Sequence, residues 1–234
     1  MKTAIIVFPG SNRDRDMAMA LQASFGSSPI EVWHSDNEIP DVDLIVIPGG
    51  FSFGDYLRSG AMAAHSPIIR EVKDRAKKGV HVLGVCNGFQ ILTEIGLLPG
   101  VLMRNANLKF ICKDVYLKVE RNDTPFAQEY YLGEVIRVPV AHHDGNYFAD
   151  NETLKELEND GRIGFRYCSE DGSIDAINNI NGSLNSIAGV YNKSGTILGL
   201  MPHPEDAVEE MLGGLGGKPM FDGIFAGLGG GSHE

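Results

Sequence analysis

Short apolar runs alternate with amphipathic segments through the first half of the chain. Thr3–Phe8 is a continuous β-branched and apolar run that stops at Pro9–Gly10, a pattern typical of a strand buried on both faces. Asp14–Phe25 carries apolar residues at helical spacing, and Gly26 ends it. The alternation continues with predicted strands at Ile30–Trp33, Leu44–Ile47 and Val80–Val85 and predicted helices at Ser66–Lys78 and from Phe89 to Ile95. The pattern predicts an α/β fold, in which helices flank both faces of a mostly parallel central sheet.

The pattern changes after about residue 100, where strands follow one another with few helices between them. The predicted elements are strands at Leu108–Val119, Glu134–Val140, Arg162–Cys168, Ile187–Asn192 and Ile197–Met201, and a short helix near Thr153–Asn159. We expect these strands to be antiparallel additions to the sheet. A helical stretch is predicted from His203–Pro204 to about Leu212. Residues 213–234 contain nine glycines, which favours a flexible tail after a single domain formed by residues 1–212.

Charge and composition exclude several classes of function for this chain. The 234 residues are 43% hydrophobic and carry a formal net charge of −11, so the chain is globular and its surface repels nucleic acid. No run of eighteen apolar residues predicts a membrane span, and the three cysteines form neither a disulfide framework nor a zinc pattern. His142, His143 and Asp144 are adjacent, and no further metal ligand accompanies them. We therefore expect a cytoplasmic protein that binds no membrane, nucleic acid or metal.

The strongest chemical signal is Gly84-Val85-Cys86-Asn87-Gly88, which lies between a buried strand and a helix. A Gly-x-Cys-x-Gly turn at this junction is the pattern of a nucleophile elbow, in which both glycines relieve crowding around the nucleophile. The turn would hold the Cys86 thiol at the edge of the sheet and at a helix N-terminus, which favours the thiolate. The alternative is a small buried apolar residue, the interpretation we give to Cys112 and Cys168.

A base for this thiol is available in His203-Pro204-Glu205, just past the end of a predicted strand. Pro204 favours extended geometry at His203, which would place residues 203 and 205 on one side of the chain. Glu205 could then accept a proton from one imidazole nitrogen and direct the other nitrogen at Cys86. Without the elbow, the same three residues would indicate no more than an exposed loop.

Backbone donors for an oxyanion are also in place. The N–H of Asn87 follows the nucleophile, and Pro48-Gly49-Gly50-Phe51 ends a parallel strand with little side chain to block a second N–H. One such donor is worth on the order of 10²–10³ in rate. Taken alone, Pro-Gly-Gly would indicate only a turn.

These motifs together resemble the triad (class I) glutamine amidotransferases. The residues that carry the resemblance are Gly84–Gln90 and His203-Pro204-Glu205, and further blocks narrow it: Phe8–Asn12, Pro48–Arg58, Arg104-Asn105, Leu108–Cys112 and Val138–His142. The narrower resemblance is to the amidotransferase subunits of phosphoribosylformylglycinamidine synthases, a family of purine biosynthesis. It implies a flavodoxin-like fold and glutamine hydrolysis through a Cys86 thioester.

The resemblance also assigns roles to individual residues. It implies Cys86 as nucleophile, His203 as base and Glu205 as the residue that orients the base. Gly50 and Asn87 would form the oxyanion site, with Phe51 a further candidate on the same loop, and Gln90 would help to hold glutamine. Two positions depart from the family pattern: Arg13 stands where a Cys is common, and His143 where a small residue is expected.

The partners are implied by what the chain lacks. Residues 212–219 are rich in glycine, but Pro219 replaces the Ser or Thr that a phosphate loop needs for Mg²⁺. We therefore expect no cofactor on this chain, and ATP with Mg²⁺ on a separate subunit. The family resemblance implies L-glutamine as the substrate and a large ATP-binding synthetase subunit as the partner, with a small accessory subunit besides. The alternatives are a stand-alone cysteine hydrolase of the same architecture, such as a peptidase or deglycase, and a non-enzymatic binding protein.

Overall fold

A nine-stranded mixed sheet forms the centre of the computed structural model, which describes residues 1–229. The strands of this sheet are β1 (Thr3–Val7), β2 (Ile30–Trp33), β3 (Leu44–Ile47), β4 (His81–Val85), β6 (Ile111–Val119), β7 (Val135–His142), β9 (Ile163–Cys168), β10 (Ile187–Tyr191) and β11 (Ile197–Leu200). Their order across the sheet is β2-β1-β3-β4-β11-β10-β9-β6-β7. The first four and β11 pair in parallel, and the remaining pairs are antiparallel. The predicted α/β class with antiparallel additions is confirmed.

Five α-helices accompany the sheet in the described residues. They are α1 (Asp14–Phe25), α2 (Ile68–Lys77), α3 (Asn87–Glu94), α4 (Asn151–Asn159) and α5 (Lys218–Gly229). Helix α1 ends where predicted, because Gly26 adopts the left-handed conformation that closes a helix. Helix α4 is capped by Asp150, the residue before its first turn, whose side chain accepts a hydrogen bond of 2.7 Å from the backbone N–H of Thr153.

The parallel strands hold the core. All four residues of β3 are completely buried, and β1 and β4 are nearly so. Each fully buried Leu, Ile or Val contributes about 1.5–3 kcal/mol relative to an exposed one, which explains why these strands read as uninterrupted apolar runs. Helix α3 packs on β4, β3 and β11, so the junction between β4 and α3 rests on the most buried part of the molecule.

The C-terminal segment differs from the prediction. In place of one helix up to Leu212, two short 3₁₀ turns at Pro204–Asp206 and Glu210–Leu212 follow β11. The expected flexibility of residues 213–234 is wrong for α5, which buries Met220, Phe221 and Ile224. Residues 230–234 lie outside the described part of the chain, and the division at residue 212 stays a prediction.

Close packing explains the glycines of this segment better than flexibility does. A Cβ at Gly217 would overlap the carbonyl oxygen of Pro204, and one at Gly223 would lie 2.9 Å from the carbonyl oxygen of Pro125. The glycines therefore let the backbone approach its neighbours closely.

Two short strands were not predicted. β5 (Val101–Met103) and β8 (Asn146–Phe148) form a separate antiparallel pair, and β6 begins at Ile111 in place of Leu108. Leu108 has a left-handed backbone with φ of 57°, which excludes it from a strand.

Candidate active site

Cys86 occupies the sharp turn between β4 and α3. Its backbone has φ of 51° and ψ of −105°, a conformation that non-glycine residues rarely adopt and that is found at functional sites. The Cys86 N–H donates to Leu200 O at 2.8 Å, and its carbonyl accepts from the Gln90 N–H at 3.1 Å. Strand β11 and helix α3 thus fix the nucleophile turn, by which we mean Gly84–Gly88.

Both glycines of the nucleophile turn are required by packing, for different reasons. A Cβ at Gly84 would lie 2.8 Å from the backbone of Gly88 and would also press on Leu92, as the predicted crowding requires. A Cβ at Gly88 would instead overlap the carbonyl oxygen of Ile47. The second glycine therefore allows α3 to approach β3, a contact that the local motif does not reveal.

His203 and Glu205 form a buried pair beside the nucleophile turn. His203 Nδ1 lies 2.7 Å from Glu205 Oε1, and only 2% and 0% of the two side chains are exposed. Because a carboxylate oxygen only accepts, Nδ1 carries the hydrogen and Nε2 remains available as a base. Within residues 1–229, Nε2 has no hydrogen-bond partner.

The predicted reason for this contact was partly wrong. His203 is extended, with φ of −104° and ψ of 88°, and its N–H donates to Pro139 O at 2.8 Å. Pro204–Asp206, however, forms a 3₁₀ turn, so a tight turn and not an extended chain brings residues 203 and 205 together.

The electrostatics of the pair favour a charged imidazole. Burial by itself lowers the pKa of His203, but the charge of Glu205 and the interaction with the neighbouring Cys86 outweigh it. The pKa of His203 is consequently raised well above its ordinary value. Such a ring is well suited to exchange a proton with the thiol.

One cavity of about 250 Å³ brings four of the predicted site residues together. Cys86, His203, Gly50 and Phe51 all line it. The Sγ atom of Cys86 lies 3.8 Å from the carbonyl oxygen of Ala141, at the end of β7. This cavity is large enough for a small amino-acid side chain, and it presents the thiol and the imidazole to the same space.

The glycine-rich loop (Pro48–Asp55) forms one wall of this cavity. Gly50 has φ of 154°, and a Cβ there would lie 2.7 Å from Ser11 Cα, so glycine is required. The Phe51 N–H donates to Gly10 O at 2.9 Å. In this arrangement the Phe51 N–H is therefore occupied and cannot also bind an oxyanion.

Asn87 links the nucleophile turn to the glycine-rich loop. As the first residue of α3, it has a backbone N–H without an acceptor inside the helix, as expected of an oxyanion donor. Its side-chain Oδ1 accepts from the Ser52 N–H at 3.1 Å, and its Nδ2 donates to Gln90 Oε1 at 2.8 Å.

Gln90 does not line the cavity of Cys86. Its side chain is buried, and Nε2 donates to Asp144 O at 2.7 Å while Oε1 accepts from Asn87. A contact with glutamine would require these bonds to rearrange, and the role of Gln90 stays a prediction.

Several residues of the cavity were not predicted. Phe110, Cys112 and Ala141 line it because β6, β7 and the nucleophile turn meet here, although they are distant in sequence. The family blocks Leu108–Cys112 and Val138–His142 were the signal available for these three residues. Cys112 is exposed, so the prediction that it is a small buried residue is wrong, whereas Cys168 is buried as predicted. Arg13 lines the cavity too, and its departure from the family pattern was a further signal. Within the described chain, no group of three or more His, Cys, Asp or Glu residues is placed to hold a metal ion. No helix among these residues is long and apolar enough to cross a membrane.

The site and the fold agree with comparisons to known proteins. A family model described as a CobB/CobQ-like glutamine amidotransferase domain matches residues 1–213. The PurQ subunit of phosphoribosylformylglycinamidine synthase from Bradyrhizobium diazoefficiens is 60% identical over 225 residues, covering 96% of this chain and 97% of that protein. The PurQ subunit of Rhodospirillum rubrum is 58% identical, covering 97% and 100%. The chain therefore belongs to the glutamine amidotransferases, and within them to the family of PurQ subunits.

Solved structures give the same result. A chain of PurLQS from Thermotoga maritima has a TM-score of 0.85 and 45% sequence identity, covering 96% of this chain and 97% of that one. The glutaminase domain of Trypanosoma brucei CTPS has a TM-score of 0.56 at 14% identity, covering 100% and 96%. This second likeness supports the fold alone.

Proposed function

We propose that this chain is the glutaminase subunit of a phosphoribosylformylglycinamidine synthase. It hydrolyses L-glutamine to glutamate and ammonia, and the ammonia passes to a separate ATP-dependent synthetase subunit in purine biosynthesis. The observation that carries the proposal is the placement of Cys86 and His203 on one cavity, with His203 Nδ1 held by Glu205 at 2.7 Å. Identities near 60% to PurQ subunits support the choice of synthetase.

The first half of the reaction forms a thioester. His203 Nε2 takes the thiol proton, and the Cys86 sulfur attacks the side-chain amide carbon of glutamine. The oxyanion that develops would be held by backbone N–H groups of Asn87 and Gly50. His203 then gives its proton to the departing nitrogen, so the C–N bond breaks, ammonia leaves and a γ-glutamyl thioester remains on Cys86.

The second half releases glutamate. A water molecule loses a proton to His203 Nε2 and attacks the thioester carbon. The sulfur then leaves and takes a proton back, which restores the thiol. Glu205 keeps its hydrogen bond to Nδ1 throughout, orienting the ring and stabilising its charged form.

The direct test compares nitrogen sources in the assembled synthase. We expect Cys86→Ala to abolish glutamine-dependent synthesis and to leave ammonia-dependent synthesis intact, because the thiol is needed only to release ammonia. Loss of both activities in an intact complex would contradict the assignment. A stand-alone peptidase or deglycase would instead retain full hydrolysis of its own substrates without any partner, and no glutamate release even with the synthetase would indicate a binding protein.

The surface around the cavity supports docking of the synthetase there. Phe51 and Phe110 line the cavity and remain 41% and 48% exposed, with ring centroids 6.4 Å apart. Tyr56 and Leu57, which follow the glycine-rich loop in the chain, and Leu108, two residues before Phe110, are even more exposed, at 86%, 78% and 70%. Exposed apolar side chains around a reactive cavity are typical of a surface that a partner covers.

The remaining assignments follow from the same proposal. The synthetase partner would carry ATP and Mg²⁺, and this chain would bind no cofactor. The PurLQS description of the similar structure supports a small accessory subunit as a third component. A cytoplasmic location, without membrane or nucleic-acid partners, is consistent with the acidic chain and its purine-biosynthetic relatives.

A further inference from the structure

Arg13 connects helix α1 to the turn that carries Glu205. Arg13 is the residue that precedes α1, and its Nη1 lies 3.0 Å from Asp16 Oδ2 and 3.2 Å from Asp206 Oδ2. Asp206 directly follows Glu205 in the 3₁₀ turn. The ion pair thus joins two segments at opposite ends of the chain, one residue from the proposed catalytic carboxylate.

Arg13 also contacts the imidazole side of the site through its alkyl chain. A Cβ placed on Gly49 would lie 2.7 Å from His203 Cε1 and 3.2 Å from Arg13 Cγ. The ring and the alkyl chain therefore both lie against the same glycine. The Arg13 N–H further donates to Gly49 O at 3.3 Å. Arg13 thus contacts the base's surroundings with its backbone, its alkyl chain and its charge.

A second cavity, of about 350 Å³, shows why this charge matters. Carboxylates dominate its lining: Asp16, Asp114, Glu205, Asp206 and Glu209. Among the residues of 1–229 that line it, Arg13 is the one cation. Glu205 Oε2 is buried there, without a hydrogen-bond partner in the described chain. Arg13 is therefore placed to balance negative charge that would otherwise be concentrated behind His203.

We propose that Arg13 is a positioning residue for the glutaminase reaction. Its ion pair with Asp206 fixes the Pro204–Asp206 turn, which presents Glu205 to His203, and its positive charge balances the carboxylates that lie behind the imidazole. This inference rests on the proposed function of the Cys86–His203–Glu205 site. The guanidinium is engaged by Asp16 and Asp206, so it is not assigned to the carboxylate of glutamine.

The charged groups around the pair determine the expected pH dependence. They are Cys86 on the nucleophile turn, His142 on β7, Arg13 and Asp16 at the start of α1, Asp114 on β6 with its ion-pair partner Arg137 on β7, and Asp206 and Glu209 after Glu205. Removing the positive charge of Arg13 should raise the pKa values of the neighbouring groups, because that charge no longer favours their deprotonated forms over their protonated ones. Both limbs of the pH–rate profile should therefore move to higher pH. Removing the negative charge of Asp206 should move both limbs to lower pH.

The test uses the complete synthase with Arg13→Gln, Asp206→Asn, the double variant and Arg13→Lys. For Arg13→Gln we expect glutamine-dependent kcat to fall about tenfold, and both limbs to rise by about half to one pH unit. The KM for glutamine should stay within about twofold, since a residue that only positions the base leaves ground-state binding unchanged. The double variant should return the limbs close to wild type, and Arg13→Lys should recover most of kcat. Ammonia-dependent synthesis in each preparation is the control for intact complexes.

Two outcomes would overturn the proposal. A raised KM with unchanged kcat would mean that Arg13 binds glutamine directly. A loss of kcat that is equal at every pH, with unmoved limbs, would mean that Arg13 only supports the fold.

A measurement on the isolated chain separates this inference from the proposed function. The rate of Cys86 alkylation by iodoacetamide is followed against pH by peptide mass spectrometry, which distinguishes Cys86 from the other cysteines. Arg13→Gln should shift this profile to higher pH and Asp206→Asn to lower pH, whether or not the chain hydrolyses glutamine. Unshifted alkylation profiles in both folded variants would contradict the role of Arg13 by themselves.

Discussion

The nucleophile turn and the glycine-rich loop meet in one cavity, yet they are held in different ways. The turn is buried between β4 and α3, and Gly84 and Gly88 are required by contacts with the core. The loop is half exposed, and three consecutive residues, Phe53, Gly54 and Asp55, have left-handed backbones. Left-handed non-glycine residues each cost roughly 1–2 kcal/mol, so the loop is maintained by its contacts and not by its own preference.

The two regions have different roles in the proposed reaction. The thiol is fixed before any substrate arrives, because the core determines the conformation of the nucleophile turn. The Phe51 N–H of the loop is instead engaged by Gly10 O, and the surrounding apolar side chains are exposed. We therefore regard the turn as preorganised and the loop as the part whose geometry a docked partner can complete.

The largest expected effect comes from removing the base. His203→Ala should reduce glutamine-dependent turnover by about 10³–10⁴-fold, because both the thiol and the leaving nitrogen need proton transfer. Glu205→Gln should be milder than His203→Ala, since Glu205 only orients and stabilises the imidazole, and an amide can retain part of that orientation. Single-turnover acylation rates check the ranking of wild type, Glu205→Gln and His203→Ala. An unaffected His203→Ala variant would remove His203 from the mechanism.

Gly88→Ala tests the rigid region. Its Cβ would overlap Ile47 O, so α3 must move and carry Cys86 out of position, which should lower kcat by about a hundredfold or more. The overpacking should also lower the free energy of unfolding by about 1–3 kcal/mol. Gly229→Ala is the matched control, because this helical glycine also lacks a left-handed backbone and its added Cβ would meet only side-chain atoms of Phe225, at 3.4 Å or more. Normal activity in Gly88→Ala would show that the turn tolerates displacement.

Gly50→Ala tests the loop. The added Cβ would meet Ser11 Cα and Gly10 O, and we expect kcat to fall by about 10²-fold because the backbone shifts and the N–H of residue 50 moves away from the oxyanion. The thermal midpoint should change little, since the loop contributes less to the core than the turn does. Calorimetry and steady-state kinetics on both variants check whether Gly50→Ala loses activity alone while Gly88→Ala loses both activity and stability. Equal destabilisation by the two variants would contradict the division into a rigid turn and a less constrained loop.

The smallest expected effect is the dependence on the partner. The isolated chain should release glutamate at about a tenth or less of the rate of the complete synthase supplied with ATP and acceptor, if docking completes the glycine-rich loop. Glutamate release measured before and after adding the synthetase checks this. A full rate in the isolated chain would show that the loop is already competent.

What could be predicted from the sequence was local or periodic. The buried strands are visible in the sequence as apolar runs, and the nucleophile turn was recognisable because its two glycines and its cysteine lie within five consecutive residues. Helix α5 was missed because glycines that allow close packing against Pro204 and Pro125 resemble a flexible tail.

The state of the loop and of Gln90 could not be predicted for a different reason. The Phe51 N–H is engaged by Gly10, and Gln90 by Asp144, through contacts between residues distant in sequence. Such contacts depend on how the elements pack. The pairing of Arg13 with Asp206 belongs to the same class, because the two residues are separated by 193 positions.

In the proposed mechanism, Cys86 carries the γ-glutamyl group during glutamine hydrolysis. The most direct test mixes the complete synthase with glutamine, quenches the reaction with acid within one turnover, and maps modified peptides by mass spectrometry. We expect the mass of a γ-glutamyl group on the peptide containing Cys86, and its disappearance in the His203→Ala variant. An adduct on Cys112 instead, or turnover without any adduct on Cys86 at any quench time, would contradict the account.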